Sequence, residues 1–155
     1  MESTAVADVT KTGAFDRKPS TFRRAFDDHG AYPPARGRYV LHVSLACPWA
    51  HRALIARALK GLEDAIDVRV TSPVWARTRP DLDDDAHCGW VFTAPGERMR
   101  NPAGRGWFVA DANCASTGAE GATTIRALYD AAGAPKEQRF TLPLMWDVET
   151  RDIVN

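Results

Sequence analysis

The feature that most constrains this chain is a Cys-Pro step placed between a strand and a helix. Residues 38–44 alternate in polarity, which predicts a β-strand. The step Cys47-Pro48 follows, and residues 49–60 then carry apolar side chains at helical spacing until Gly61, so we expect a helix with the proline at its first position. Residues 66–70 alternate again and predict a second strand. A strand, a helix and a strand in this order favour a parallel pair with a right-handed crossover.

The middle of the chain is rich in Pro, Gly, Asp and Arg. Residues 73–118 are too many for a plain connector, so this stretch is either functional or contains elements that the pattern hides. Thr117 with Glu120 resembles a capping box, which predicts a helix from there to Gly133.

Residues 140–146 predict a strand interrupted by Pro143, and residues 153–154 begin another strand that would pair antiparallel. Residues 1–37 predict an irregular arm with a short helix around 21–26. The element order is therefore β-α-β followed by α-β-β. These are the elements of an α/β, thioredoxin-like fold with a mixed sheet and helices on both faces.

Composition excludes few function classes. Lys plus Arg and Asp plus Glu number 20 each, so overall charge predicts no nucleic-acid partner and no anionic membrane. The first sixty residues hold ten basic and five acidic side chains, a bias that suits either an anionic ligand or a solvated surface. Three cysteines without paired spacing, and no apolar leader, predict free thiols and a cytoplasmic location.

Cys47 is the candidate nucleophile. A cysteine at a helix N-terminus faces unpaired N–H groups and the positive end of the helix dipole, which favour a thiolate over a thiol. His51 and Arg52 could add positive charge. The alternative is a buried, inert cysteine, a common environment for a free thiol. Because Ala50 stands three residues after Cys47, no second thiol lies within the motif, and resolution by an outside thiol such as glutathione is implied.

Residues 38–52, Arg-Tyr-Val-Leu-His-Val-Ser-Leu-Ala-Cys-Pro-Trp-Ala-His-Arg, resemble the strand and Cys-Pro-Trp-Ala segment of glutathionyl-hydroquinone reductases, the Xi class of glutathione transferases. Further ordered blocks are similar to the same family, in the arm and at residues 59–63, 89–92, 140–147 and 153–155. The resemblance is weakest across residues 93–120. It implies an N-terminal arm (1–37) and a thioredoxin-like glutathione-binding domain (38–155).

The resemblance also implies site roles. Cys47 would attack the glutathione sulfur of a glutathionyl-hydroquinone, release the hydroquinone and form a mixed disulfide that a second glutathione resolves. Trp90 would lie beside glutathione, although a core anchor is the alternative. Leu142-Pro143 matches the cis-proline step whose backbone would pair with the cysteinyl part of glutathione. The alternative is an ordinary proline at a sheet edge. Arg126 would hold a glutathione carboxylate, unless it is an exposed helix arginine.

We expect no metal site. The spacings of His51, His87 and Cys88 fit no recurrent zinc frame. Cys88 and Cys114 are interpreted as bystanders, and residues 81–85 as a solvated acidic loop.

The family pattern continues past its Ile-Val-Asn block with a Glu-Ser pair for the γ-glutamyl end of glutathione, and then with an all-helical domain that carries the hydroquinone pocket and dimer contacts. The sequence here ends at Asn155, so we expect a fragment, a truncated product or a degenerate copy. The expected partners are glutathione and a glutathionyl-hydroquinone. Two alternatives stay open: a monothiol glutaredoxin-like or dehydroascorbate-reductase-like activity, and a non-catalytic glutathione-binding module.

Overall fold

A four-stranded mixed sheet is the centre of the computed structural model, which describes residues 12–14, 20–100, 104–135 and 138–155. In chain order the elements are β1 (Tyr39–Val43), α1 (Pro48–Leu59), β2 (Ile66–Val70), β3 (Ala76–Arg77), β4 (Cys88–Gly89), β5 (Arg98–Met99), β6 (Phe108–Val109), a 3-10 turn (Ala119–Gly121), α2 (Ile125–Ala131), β7 (Leu144–Asp147) and β8 (Asp152–Ile153). The strand order in the sheet is β2-β1-β7-β8. The β-α-β, α-β-β order is the thioredoxin-like arrangement predicted from the sequence.

Strand β1 is the centre of this sheet. It pairs parallel with β2, where Leu41 faces Val68, and antiparallel with β7, where Leu41 faces Met145. All five of its residues are buried, so both faces of the strand are covered. Strand β2, at the sheet edge, alternates between half-buried and exposed positions. The C-terminal end of β1, where the loop to α1 begins, is therefore surrounded by buried residues.

Helix α1 begins and ends as predicted. Pro48 stands at its start, behind Cys47 in extended conformation (φ −101°, ψ 111°). At the other end Gly61 has a φ of +62°, a left-handed conformation that costs glycine little. Its N–H donates to the Ala58 carbonyl at 3.0 Å, which satisfies one of the last carbonyls of the helix.

The predicted capping box at Thr117 and Glu120 is wrong. Helix α2 begins later, after Thr124, whose Oγ1 accepts a hydrogen bond from the Ala127 N–H at 3.0 Å. Glu120 instead lies in the 3-10 turn with a φ of 56°, so the backbone reverses there. A Ser/Thr cap with an acidic residue three positions later also occurs in turns, and sequence spacing alone could not separate the two cases.

The predicted short helix at residues 21–26 is also absent. Alternating side chains hold this segment against the domain: Phe22 packs edge-on against Tyr129 at 5.5 Å between ring centroids, and Phe26 packs against Tyr39 at 4.7 Å. Arg24, between them, pairs with Asp152 at 2.9 Å, so contacts recur at every second residue, which suits an extended chain. The predicted arm residues 1–11 and 15–19 lie outside the described residues.

The long middle segment contains structure that its composition concealed. Strands β3 and β4 pair antiparallel, and so do β5 and β6. The backbone of Ala115 donates to Val70 of the main sheet at 2.9 Å, and Phe92 donates to Thr123 at 2.9 Å. The described parts of residues 73–118 thus include two small ribbons attached to the domain.

A buried ion pair joins Arg38, the residue before β1, to Asp147, the last residue of β7. Arg38 Nε donates to Asp147 Oδ1 at 2.9 Å, and Asp147 also accepts from the Thr150 hydroxyl. Burial would raise the pKa of Asp147, but the hydrogen bonds from Arg38, Glu149 N–H and Thr150, with the charge of Arg38, hold it below its ordinary value. Asp147 is also the register partner of Tyr39, so the ion pair lies where β1 and β7 pair.

Within the described ranges, no helix has the length and apolar character needed to cross a membrane.

Candidate functional site around Cys47

The position of Cys47 is set by the loop that leaves β1. Its N–H donates to the Ser44 carbonyl at 3.0 Å, and its own carbonyl accepts from Ala50 N–H at 3.1 Å and His51 N–H at 3.3 Å. Ser44 Oγ also accepts from the Ala46 N–H at 3.3 Å. These bonds close a tight turn between a buried strand and the first turn of α1, so the thiol is held on a fixed backbone.

The Cys47 side chain points at another part of the chain. Its Sγ lies 3.7 Å from the carbonyl oxygen of Leu142, and the residue is 8% exposed. The Leu142–Pro143 peptide bond is cis, as predicted. No described residue accepts a hydrogen bond from the Leu142 N–H, so this backbone group next to the thiol has no partner in the described part of the chain. The structure therefore brings two of the predicted site positions together.

The first turn of α1 carries an exposed aromatic side chain, Trp49, two positions after Cys47 in the sequence. Trp49 is 51% exposed, and the Arg52 guanidinium lies 4.5 Å from the centre of its ring. His51 Nε2 lies 3.0 Å from the Leu45 carbonyl oxygen, which ties the helix to the loop before Cys47. Arg52 is therefore engaged with Trp49, and His51 with the backbone.

Trp90 is half-buried at the edge of the hydrophobic cluster that contains Cys47. Its ring meets Trp75 edge-on at 5.4 Å, and its carbonyl accepts from the Ile125 N–H at 3.0 Å. The latter bond attaches Trp90 to the start of α2. These contacts suit both predicted roles, an anchor and a residue beside a ligand.

Arg126, the second residue of α2, has a guanidinium that already binds other side chains of the domain. Its Nη1 donates to Asp85 at 2.8 Å and to the Thr78 hydroxyl at 3.3 Å, and the guanidinium lies 5.2 Å from the Phe140 ring centre. The hydrogen bond from Arg126 lowers the pKa of Asp85, against a smaller opposing effect of burial. Arg126 is thus neither exposed nor unpaired, and its role as a ligand for a carboxylate stays a prediction.

The prediction that residues 81–85 form a solvated acidic loop is wrong at Asp85, which is largely buried. Its side chain is 17% exposed and pairs with both Arg126 and Arg79. The only signal in the sequence was its place at the end of the acidic run, two residues before His87.

His42 was also missed. It is fully buried in β1, and its Nε2 accepts a hydrogen bond from the Ala119 N–H at 3.0 Å. Burial, with a smaller contribution from the charge of Arg69, lowers its pKa to about 4. A Cβ at Gly118 would lie 2.7 Å from the Phe92 ring, so only glycine permits the close approach of this turn to His42.

The other two cysteines are buried free thiols. Burial raises the pKa of Cys114, and the charge of Asp111 adds to the shift. Among the described residues, no group of three or more His, Cys, Asp and Glu side chains is arranged to hold a metal ion.

The fold and the Cys-Pro step at the end of β1 define a thioredoxin-like glutathione transferase domain. Residues 46–155 match the family of glutathione S-transferase N-terminal domains, and the chain belongs to this family.

Three similar proteins indicate the class of glutathione transferase. The chain is 38% identical over 165 residues to glutathione S-transferase omega-like 2 of Saccharomyces cerevisiae, covering 92% of this chain and 44% of the relative. It is 34% identical to the glutathionyl-hydroquinone reductase PcpF of Sphingobium chlorophenolicum, covering 92% and 37%. The Xi glutathione transferase ECM4 of Saccharomyces cerevisiae, solved in complex with glutathione, matches with a TM-score of 0.70 at 33% identity, covering 92% and 43%.

These relatives are enzymes, and the predicted resemblance to the Xi class is confirmed. The chain spans about two fifths of the length of each relative.

Proposed function

We propose that this domain supplies the glutathione site and the nucleophile of a glutathionyl-hydroquinone reductase. The observation that carries the proposal is the placement of Cys47, with its Sγ 3.7 Å from the Leu142 carbonyl and no second cysteine in the motif. A single thiol beside the backbone of the segment that precedes β7 suits chemistry in which glutathione itself is both bound and exchanged.

The proposed reaction has two steps. The Cys47 thiolate attacks the glutathione sulfur of a glutathionyl-hydroquinone. A disulfide bond forms, the carbon–sulfur bond breaks, and the departing ring carbon takes up a proton to give the hydroquinone. A glutathione thiolate then attacks the mixed disulfide, which returns Cys47 as a thiolate and releases oxidised glutathione. Cys47 and glutathione are oxidised in turn, and the aromatic carbon is reduced.

Glutathione would be bound by three parts of the domain. The backbone N–H and carbonyl of Leu142 would pair with its cysteinyl part in the manner of an added strand. Trp90, attached to the start of α2, would lie beside the tripeptide. Arg126 would hold one carboxylate, with Asp85 fixing the direction of the guanidinium. The relatives support the glutathione chemistry, and the finer assignment of residues is ours.

The proposal is tested by substrate preference. The domain, joined to the remainder of its chain where one exists, is assayed with glutathionyl-menadiol and with hydroxyethyl disulfide. The proposal predicts release of menadiol that requires Cys47 and consumes glutathione. Turnover of hydroxyethyl disulfide alone would indicate a glutaredoxin-like activity instead. Glutathione binding without turnover of either compound would indicate a non-catalytic module.

A further inference from the structure

The ribbon formed by β5 and β6 carries an exposed face of unusual composition. We call it the Arg/Trp face and define it as Arg98, Arg100, Trp107 and Val109. All four residues are exposed, Trp107 by 63% and Val109 by 54%. A tryptophan this exposed gives up most of the free energy that burial of its ring would contribute, so its position calls for an explanation.

The register accounts for the common face. Arg98 pairs with Val109 and Met99 with Phe108, so the side chains of the first pair point to one side and those of the second to the other. Met99 and Phe108 are half-buried. Within the Arg/Trp face, the Arg98 guanidinium lies 4.9 Å from the centre of the Trp107 ring, which holds the two side chains together.

The charge of the ribbon is one-sided. Residues 98–109 contain three arginines and no acidic residue, and the two flanking carboxylates, Glu97 and Asp111, accept hydrogen bonds from the N–H groups of Ala94 and Asn113. The balance of the whole chain, from which we expected no membrane partner, therefore conceals a local cluster of positive charge around an exposed aromatic ring.

We propose that the Arg/Trp face contacts the anionic phospholipid headgroups of a membrane surface. Tryptophan is favoured at the boundary between headgroups and acyl chains, where its ring is apolar and its N–H stays hydrated. Arginines close to an anionic leaflet gain electrostatic attraction while their side-chain stems remain at the surface. The face combines both kinds of side chain on one short ribbon.

Two observations favour lipid over nucleic acid. The three arginines of the ribbon lie within eight residues of sequence, a much shorter basic stretch than a groove that follows a phosphate backbone requires. In addition, the Arg98 guanidinium already covers Trp107, so that face of the ring is occupied and cannot stack on a base.

The contact should be weak and reversible. Each arginine near an anionic surface changes partitioning by roughly fivefold, so the two arginines of the Arg/Trp face give about a 25-fold preference for anionic over neutral lipid. The attraction falls off within a Debye length, about 8 Å at physiological ionic strength, and added salt should remove it.

The proposal is tested by sedimentation of the chain with vesicles of phosphatidylcholine alone and of phosphatidylcholine with about one third phosphatidylserine, an anionic surface of the kind that attracts basic segments. The variants are Arg98→Ser with Arg100→Ser, and Trp107→Ala. The matched controls are Arg23→Ser and Leu82→Ser, an exposed arginine and an exposed large apolar residue outside the ribbon. Circular dichroism checks that all of them fold.

We expect binding to the anionic vesicles only, a loss of roughly 25-fold for the double arginine variant, and a smaller loss for Trp107→Ala, with both controls unchanged. Equal binding to neutral vesicles, no binding, or variants that bind as well as the parent chain would overturn the proposal. Tighter binding to a single-stranded oligonucleotide, lost in the same variants, would assign the face to nucleic acid and also overturn it.

Discussion

The Sγ atom of Cys47 lies 3.7 Å from the carbonyl oxygen of Leu142, although the two residues are 95 positions apart in sequence. Two separate elements produce this contact. The loop after β1 fixes Cys47 at the start of α1, and the segment before β7 brings Leu142 across the end of the central strand. The nucleophile and the backbone proposed to bind glutathione are therefore adjacent because of how β1 and β7 pair.

The first prediction concerns the start of α2. Thr124→Ala removes the side-chain oxygen that accepts from the Ala127 N–H, so unfolding in urea should show a loss of about 1 kcal/mol. Thr117→Ala is the matched control, because Thr117 is exposed and was predicted as the cap from the sequence. It should change stability by less than about 0.5 kcal/mol. A larger loss for Thr117→Ala than for Thr124→Ala would contradict the capping assigned here.

The second prediction concerns acid stability. The folded-state pKa of His42 is about 4, below the unfolded value, so the unfolded chain takes up the proton first as the pH falls. The stabilising effect of the neutral side chain is complete above about pH 6.5 and is lost between there and about pH 4. We expect the free energy of unfolding to fall by about 2 kcal/mol from this group between about pH 7 and about pH 5.

The control for that measurement is a second histidine. Burial, followed by the charge of Arg126, also lowers the pKa of His87, so His87→Gln should remove a smaller part of the pH dependence. His42→Gln should lower stability at neutral pH and flatten the dependence. A His42→Gln chain as sensitive to acid as the parent would show that other groups are responsible.

The third prediction separates the two roles of Arg126. If the guanidinium holds a glutathione carboxylate, Arg126→Met should weaken glutathione binding to a Cys47→Ser chain by about tenfold, the effect of losing one charged hydrogen bond. Asp85→Asn keeps the arginine but removes the partner that fixes its direction, so it should lower stability and weaken glutathione binding by less than Arg126→Met does.

Titration calorimetry and urea unfolding on the same samples give both readouts. Glu120→Gln, which removes the carboxylate paired with Arg151, is the matched control. If Arg126→Met and Asp85→Asn lower stability alike and neither changes glutathione affinity, Arg126 is a tether and the carboxylate role is wrong.

Much of the fold was accessible from the sequence because its signals are local. Alternation marks β1 and β2, and Pro48 and Gly61 mark the two ends of α1, so these elements were predicted within one residue. The predicted strand at 140–146 begins only at Leu144, because the residues around Pro143 turn past the end of β1 before the ladder starts.

The site was less accessible because its contacts are not local. The partner of Arg126 is Asp85, 41 positions away, and only the folded chain shows which member of the acidic run is buried. The alternating pattern of β1 predicts that His42 is a polar residue on an uncovered face, but both faces of this strand are covered in the structure. The Arg/Trp face depended on the pairing of two-residue strands, which no periodicity marks.

The central claim is that Cys47 is the thiol that exchanges with glutathione, and one measurement tests it directly. The chain is treated with a modest excess of oxidised glutathione at neutral pH, and intact mass and peptide mapping follow the adduct. We predict one added glutathione on Cys47, ahead of Cys88 and Cys114, because Cys47 stands at the N-terminus of α1, although all three thiols are buried. Cys47→Ser should remove the adduct and leave the fold intact. Labelling of Cys88 or Cys114 first, or an adduct that persists in the serine variant, would contradict the account.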